Sequence, residues 1–141
     1  MEDVELARSL LEQENLNLVV VREGQTITTS RKGGVRPLFE AVVTMGESLH
    51  GAAIADKIVG SAVAMLCLHA QISSVYAGIA SKGALAMLEE QGINIRGETV
   101  VSRILNRDGS DLCPFEKLAR KASSPAQLFS ALESFFAEDN R

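Results

Sequence analysis

Val4, Ala7, Leu10 and Leu11 recur at helical spacing, which predicts an amphipathic helix over the first dozen residues. Leu16 to Arg22 is then rich in β-branched residues and ends at Glu23-Gly24-Gln25. Thr26 to Thr29 follows, and the whole reads as a β-hairpin with Gly24 supplying positive φ at the turn. Gly33-Gly34 breaks the chain. Pro37 suits the first turn of a helix running to Met45, and Gly46 stops it.

The middle of the chain is more apolar and less periodic. Gly51 to Ile54 reads as a short buried strand. Asp56 to His69 is apolar almost all round after its two leading charges, which predicts an interior helix. Gly60 within it is read as allowing close backbone packing. Ser74 to Ile79 predicts a strand, Ser81 to Gln91 a helix with Gly92 in the left-handed position past its end, and Ile93 to Ile95 the start of another strand. Val100 to Leu105 is expected to be a short helix, followed by the polar loop Asn106 to Asp111. Pro114 opens a helix with Phe115, Leu118 and Ala119 inward. Ser124-Pro125-Ala126-Gln127 is a capping box leading a last helix on Leu128, Leu132, Phe135 and Phe136. Strands alternating with helices imply a mixed sheet with helices on both faces, a three-layer α/β arrangement in one domain over residues 1–141.

Composition narrows the partners. With 14 basic and 18 acidic residues the net charge is −4, and aromatics make up only 4%. Neither a basic face nor stacking platforms favour nucleic acid. The longest apolar stretch, Ile58 to Leu68, contains Gly60 and Ser61 and is too short to cross a bilayer, so no membrane partner is expected. The first residues lack the pattern of a secretory signal. With only Cys67 and Cys113, the expectation is a cytoplasmic protein with reduced thiols.

Three segments taken in order carry a resemblance: Ala53-Ile54-Ala55-Asp56-Lys57-Ile58-Val59-Gly60, Asn106-Arg107-Asp108-Gly109, and Leu112-Cys113-Pro114-Phe115-Glu116. With the hairpin before them, they resemble a small prokaryotic family of unknown function assigned a cytidine deaminase-like fold. Active deaminases place H-x-E at one helix start and P-C-x-x-C at the next, holding zinc. The resemblance sets Ala55-Asp56-Lys57 at the first place and Ser81-Lys82-Gly83-Ala84 at the second, and neither offers zinc ligands. The only histidines are His50 and His69. Cys67 and His69, two apart on a helix, point to nearly opposite sides. No metal and no cofactor are expected, and the resemblance implies a fold without an activity.

The candidate site residues gather at expected helix starts. Asp56 and Lys57 head an apolar helix, where they are either a cap with a solvated lysine or a pair lining a pocket. Cys113 occupies an N-cap position, where a thiol is made more acidic, or is simply a small capping residue. Arg31, Lys32 and Arg36 flank Gly33-Gly34 in a turn that either receives an anion or is only solvated. Ser81 and Lys82 head a further helix, and Asn106 lies in the polar loop. Cys67 reads as core.

Three functions compete. The first is a binding domain for a nucleotide-like or other anionic small molecule, with Lys57, Arg36 and Lys82 as the cations and Asp56 and Asn106 as hydrogen-bonding groups. The second is an enzyme or covalently modified carrier using Cys113, assisted by Asp56 or Glu116. The third is a ligand-free structural or regulatory homodimer joined through Phe129, Leu132 and Phe136. The first two require the segments around Lys57, Lys82 and Cys113 to converge on one hollow.

Overall fold

The computed structural model describes residues 1–139. Helix α1 (Asp3–Gln13) leads to strand β1 (Leu18–Arg22), which turns into β2 (Gln25–Ser30). Glu23 and Gly24 form the turn, both with positive φ (51° and 78°), the mirror-image geometry that suits a two-residue hairpin. Asp3 at the start of α1 accepts the backbone N–H groups of both turn residues at 2.9 Å, fastening helix to hairpin.

Helix α2 (Arg36–Met45) carries Pro37 in its first turn, as expected, and Gly46 ends it with φ 51°. After the short 3₁₀ turn Gly46–Leu49 come β3 (Ala53–Val59), α3 (Ser61–His69), β4 (Ser74–Ser81), α4 (Lys82–Glu90) and β5 (Asn94–Val101). Two helices close the described chain, α5 (Pro114–Lys121) and α6 (Pro125–Asp139). Gln127 N–H donates to Ser124 Oγ at 3.1 Å, and the Gln127 side chain accepts Ser123 N–H at 2.7 Å. The capping box therefore forms, with its return bond one residue earlier than the standard pattern.

The strands form one sheet in the order β2-β1-β3-β4-β5. β1 is antiparallel to both β2 and β3, while β3, β4 and β5 run parallel. On one face α1 covers Val19, Val21, Ala55 and Tyr76. On the other, a larger core gathers Leu18, Val20, Ile54, Val75 and Ala77 beneath α2, α3, α4 and α6. This is the expected three-layer α/β architecture with a mixed sheet.

Two assignments need correction. Residues 56–59 belong to β3, not to a helix: Asp56 pairs with Leu18 on one side and Ala77 on the other, and α3 starts only at Ser61. Strands covered on both faces read as unbroken apolar runs, and this one merges with the helix behind it. Val100 and Val101 extend β5, and residues 102–113 form a loop bearing the isolated bridge Leu105–Leu112. Along α6, Leu128, Leu132 and Phe136 are buried as expected, but Phe135 is exposed. Phe129 stacks on His69 (centroids 4.6 Å apart) and Phe136 packs on Phe39 (4.9 Å). The face expected to join a homodimer is thus taken up by this chain's own core, and a charge at position 136 would be buried rather than drive subunits apart. Among the described residues no helix is long and apolar enough to cross a membrane.

Candidate functional site

A hollow of about 880 Å³ opens at the carboxyl edge of the parallel strands. In sheets of this type, ligand sites are built there because successive helices begin side by side. Ile58 from the end of β3, Ala62 and Val63 from the start of α3, and Phe135 and Phe136 from α6 give it an apolar wall. Phe115 of α5 completes an aromatic corner, with its ring 5.3 Å from Phe135 and 5.7 Å from Phe136. The turn Gly33-Gly34 and Arg36 border one side, and residues 104–108 of the loop after β5 border another.

At the base of this hollow Glu116 reaches from α5 to the start of α3. Its Oε1 accepts the N–H of Ser61 at 2.8 Å and its Oε2 the N–H of Ala62 at 2.9 Å. These are two of the backbone donors that a helix start leaves without intrahelical partners, and the carboxylate also meets the positive end of the helix dipole. The contact explains Gly60. This residue lies in extended backbone (φ −99°, ψ −171°), and a Cβ there would stand 2.4 Å from Glu116 Oε1. The close approach expected of Gly60 is real, but it is made to the Glu116 side chain of α5 rather than between backbones. Glu116 is expected from the sequence to assist Cys113; in the structure each of its oxygens accepts one N–H of α3.

Arg36 borders the hollow with its guanidinium bonded to Glu40 at 2.9 Å and 5.0 Å above the Phe136 ring. Asn106 also lines it, while its Oδ1 accepts Ser110 N–H at 3.1 Å and its backbone N–H bonds to Asp111 at 2.8 Å. Cys113 lines it as well. It stands at the N-cap of α5 as expected, half-buried, with no capping bond from its side chain. The loop is held closed by Cys113 N–H to Ile104 and by Lys117 to Asp111 at 2.5 Å.

Four expected site residues lie elsewhere. Lys57 leaves the sheet on the α1 side, where its ammonium donates to Asn15 at 3.0 Å. Ser81 is buried as the N-cap of α4, accepting Ala84 N–H at 3.1 Å, and Lys82 is exposed on the first turn beyond it. The expected convergence of Lys57, Lys82 and Cys113 is therefore overturned: of the three only Cys113 borders the hollow, because placing residues 56–59 in a strand sends Lys57 to the opposite face, and a ligand there would have to be met by Arg36, Asn106 and Arg107 in place of the two lysines. The starts of α3 and α4 do adjoin, since a Cβ on Gly83 would lie 3.4 Å from Ser61 Oγ. The residues that sequence reasoning missed are the apolar wall, Arg107 among the loop residues, and the capping role of Glu116.

Asp56 is the fourth. It is buried on the α3 side of the sheet and does not border the hollow. Burial pushes its carboxyl from an ordinary 3.8 up to about 7, with partial relief from the backbone N–H groups of Ile58, at 3.2 Å, and Lys57. Cys67 is completely buried, as expected of a core residue, and burial followed by the nearby Asp56 charge raises its thiol pKa. Among the described residues no three His, Cys, Asp or Glu side chains gather in a way that would hold a metal. His69 is stacked on Phe129, and His50 precedes β3, at the opposite end of that strand from the hollow.

The architecture and hollow are those of a small three-layer α/β domain. The chain belongs to the family described as TM1506: Domain of unknown function (DUF1893), which matches residues 6–136. The crystal structure of a DUF1893 family protein (TM1506) from Thermotoga maritima is similar, with a TM-score of 0.84 and 28% identity over 94% of this chain and 88% of that one. RibD of Acinetobacter baumannii, form 1, is similar at TM-score 0.49 and 18% identity, over 67% of this chain and 33% of that one. A diaminohydroxyphosphoribosylaminopyrimidine deaminase/5-amino-6-(5-phosphoribosylamino)uracil reductase from T. maritima scores 0.49 at 20% identity, over 72% of this chain and 33% of its own length. No curated protein matches the chain. The resemblance to a family of unknown function therefore holds.

Two outcomes follow from this geometry. Gly60→Ala must expel the Glu116 carboxylate and is expected to cost about 3 kcal/mol in urea unfolding, as Glu116→Ala should. The double variant should cost little more than either alone, since both remove one contact. For Asp56 the folded value lies above the unfolded one, so its contribution to stability is fully present below about pH 4 and is lost as pH rises toward 7. Asp56→Asn removes this slope. Between about pH 5 and pH 8 the wild type should lose on the order of 2 kcal/mol relative to the variant, read from urea midpoints.

Proposed function

We propose that this protein binds a nucleotide-like or other anionic small molecule in the hollow at the carboxyl edge of its parallel strands. The observation that carries the reading is the make-up of that hollow. Its volume, about 880 Å³, lies in the range of small-molecule sites, and apolar and aromatic walls stand beside two guanidinium groups. Ile58, Val63, Phe115 and Phe135 suit the faces of a planar ring. Arg36 and Arg107 supply positive charge on the sides formed by the α2 start and the 102–113 loop, and Asn106 adds hydrogen-bonding capacity.

Binding is favoured over zinc-dependent deamination because among the described residues no three His, Cys, Asp or Glu side chains gather as a ligand set. It is favoured over thiolate catalysis because Asp56 does not border the hollow and the two histidines lie away from Cys113. Both cysteines are free thiols, which suits the reducing cytoplasm as the place where the protein works.

Melting curves with a panel of nucleotides and sugar phosphates test the reading. At least one should raise the melting temperature by several degrees, and Arg107→Ala should weaken its binding roughly tenfold. No shift with any member of the panel would contradict it.

A further inference from the structure

The hollow is bordered by groups of both kinds, cationic and accepting. Arg36 and Arg107 line it from the α2 start and from the 102–113 loop. The start of α3 is a further place where peptide N–H groups and the helix dipole would draw a ligand's phosphate. Here that place is already filled: Ser61 and Ala62 N–H groups are bonded to Glu116 at 2.8 and 2.9 Å. An anionic group brought there would find its donors taken and a carboxylate facing it. The other acid on the wall, Asp108, is turned into its own loop, where it accepts Ser110 Oγ–H at 2.6 Å and Ser110 N–H at 3.0 Å.

A carboxylate has about four acceptor directions, and α3 uses two of those on Glu116. The remaining capacity belongs to a side chain that is buried yet borders the hollow. We infer that Glu116 determines specificity: it turns the α3 end of the hollow into a site for hydrogen-bond donors. The ligand is then an anion that also carries an amino group, its phosphate or carboxylate toward Arg36 and Arg107 and its amino group at Glu116. This inference rests on the binding reading above and adds an orientation and a ligand class to it.

Calorimetric titration of the full chain with two matched pairs tests it: adenosine monophosphate against purine riboside monophosphate, and cytidine monophosphate against pyrimidin-2-one riboside monophosphate. Within each pair the phosphate is unchanged, and the amino group is replaced by hydrogen, so no new ring N–H donor appears. The amino-bearing member should bind roughly tenfold more tightly, the worth of one charge-assisted hydrogen bond. Glu116→Gln, whose amide presents a donor as well as an acceptor, should bring that ratio to about one. Arg107→Ala should weaken all four ligands in proportion and leave the ratio unchanged. Equal affinities within the pairs for the wild type would overturn the role of Glu116 while leaving the binding reading intact. Failure of all four to bind would overturn this inference, and the binding reading falls with it only if the rest of the nucleotide and sugar-phosphate panel is also without effect. Because the wild-type ratio alone decides the matter, a Glu116→Gln variant that does not fold leaves the test standing.

Discussion

The start of α3 exposes peptide N–H groups that must find acceptors, and Glu116 supplies them from 55 residues further along the chain. Much of the site is arranged around this contact. It needs a residue without a Cβ at position 60, it needs α5 to begin where Pro114 begins it, and it ties α5 to the edge of the sheet. The loop of residues 102–113 connects β5 to α5, so its position over the hollow follows from where Glu116 anchors the helix behind it. A side chain that looks like one surface acid among many in sequence is buried and sets the geometry of the whole edge.

The same contact gives the site its chemical character. An open helix start beside a glycine-rich turn and two arginines would be a uniformly anion-seeking surface. With the carboxylate in place the hollow carries accepting as well as cationic groups among its aromatic and aliphatic walls. Asp56 contributes differently. It does not border the hollow, and its burial makes the protein's stability sensitive to pH.

Local signals carried much of the fold. The Glu23-Gly24 turn, Pro37 and Gly46 around α2, Ser81 and Gly92 around α4, Pro114 and the Ser124–Gln127 cap each state their element through backbone preferences that tertiary context did not override. The boundary at Gly60 was harder. β3 is buried on both faces in its first half and runs into a helix that is apolar nearly all round, so neither period shows, and the two charges at 56 and 57 imitate a helix start. That single misplacement moved Lys57 to the wrong face of the sheet. Arg36, Asn106 and Cys113, which border the hollow, stand out in the sequence because each flanks a turn or a cap. The partnership of Gly60 with Glu116 was not, since no local pattern links residues so far apart in sequence.

The central claim is that Glu116 satisfies the first amides of α3 across the hollow, and residue-resolved hydrogen exchange on the wild type and Glu116→Ala reads it directly. The amides of Ser61 and Ala62 should be protected in the wild type and exchange rapidly in the variant, while Ile54 and Val75 in the sheet stay protected in both. Equal protection of Ser61 and Ala62 with and without the carboxylate would contradict the account.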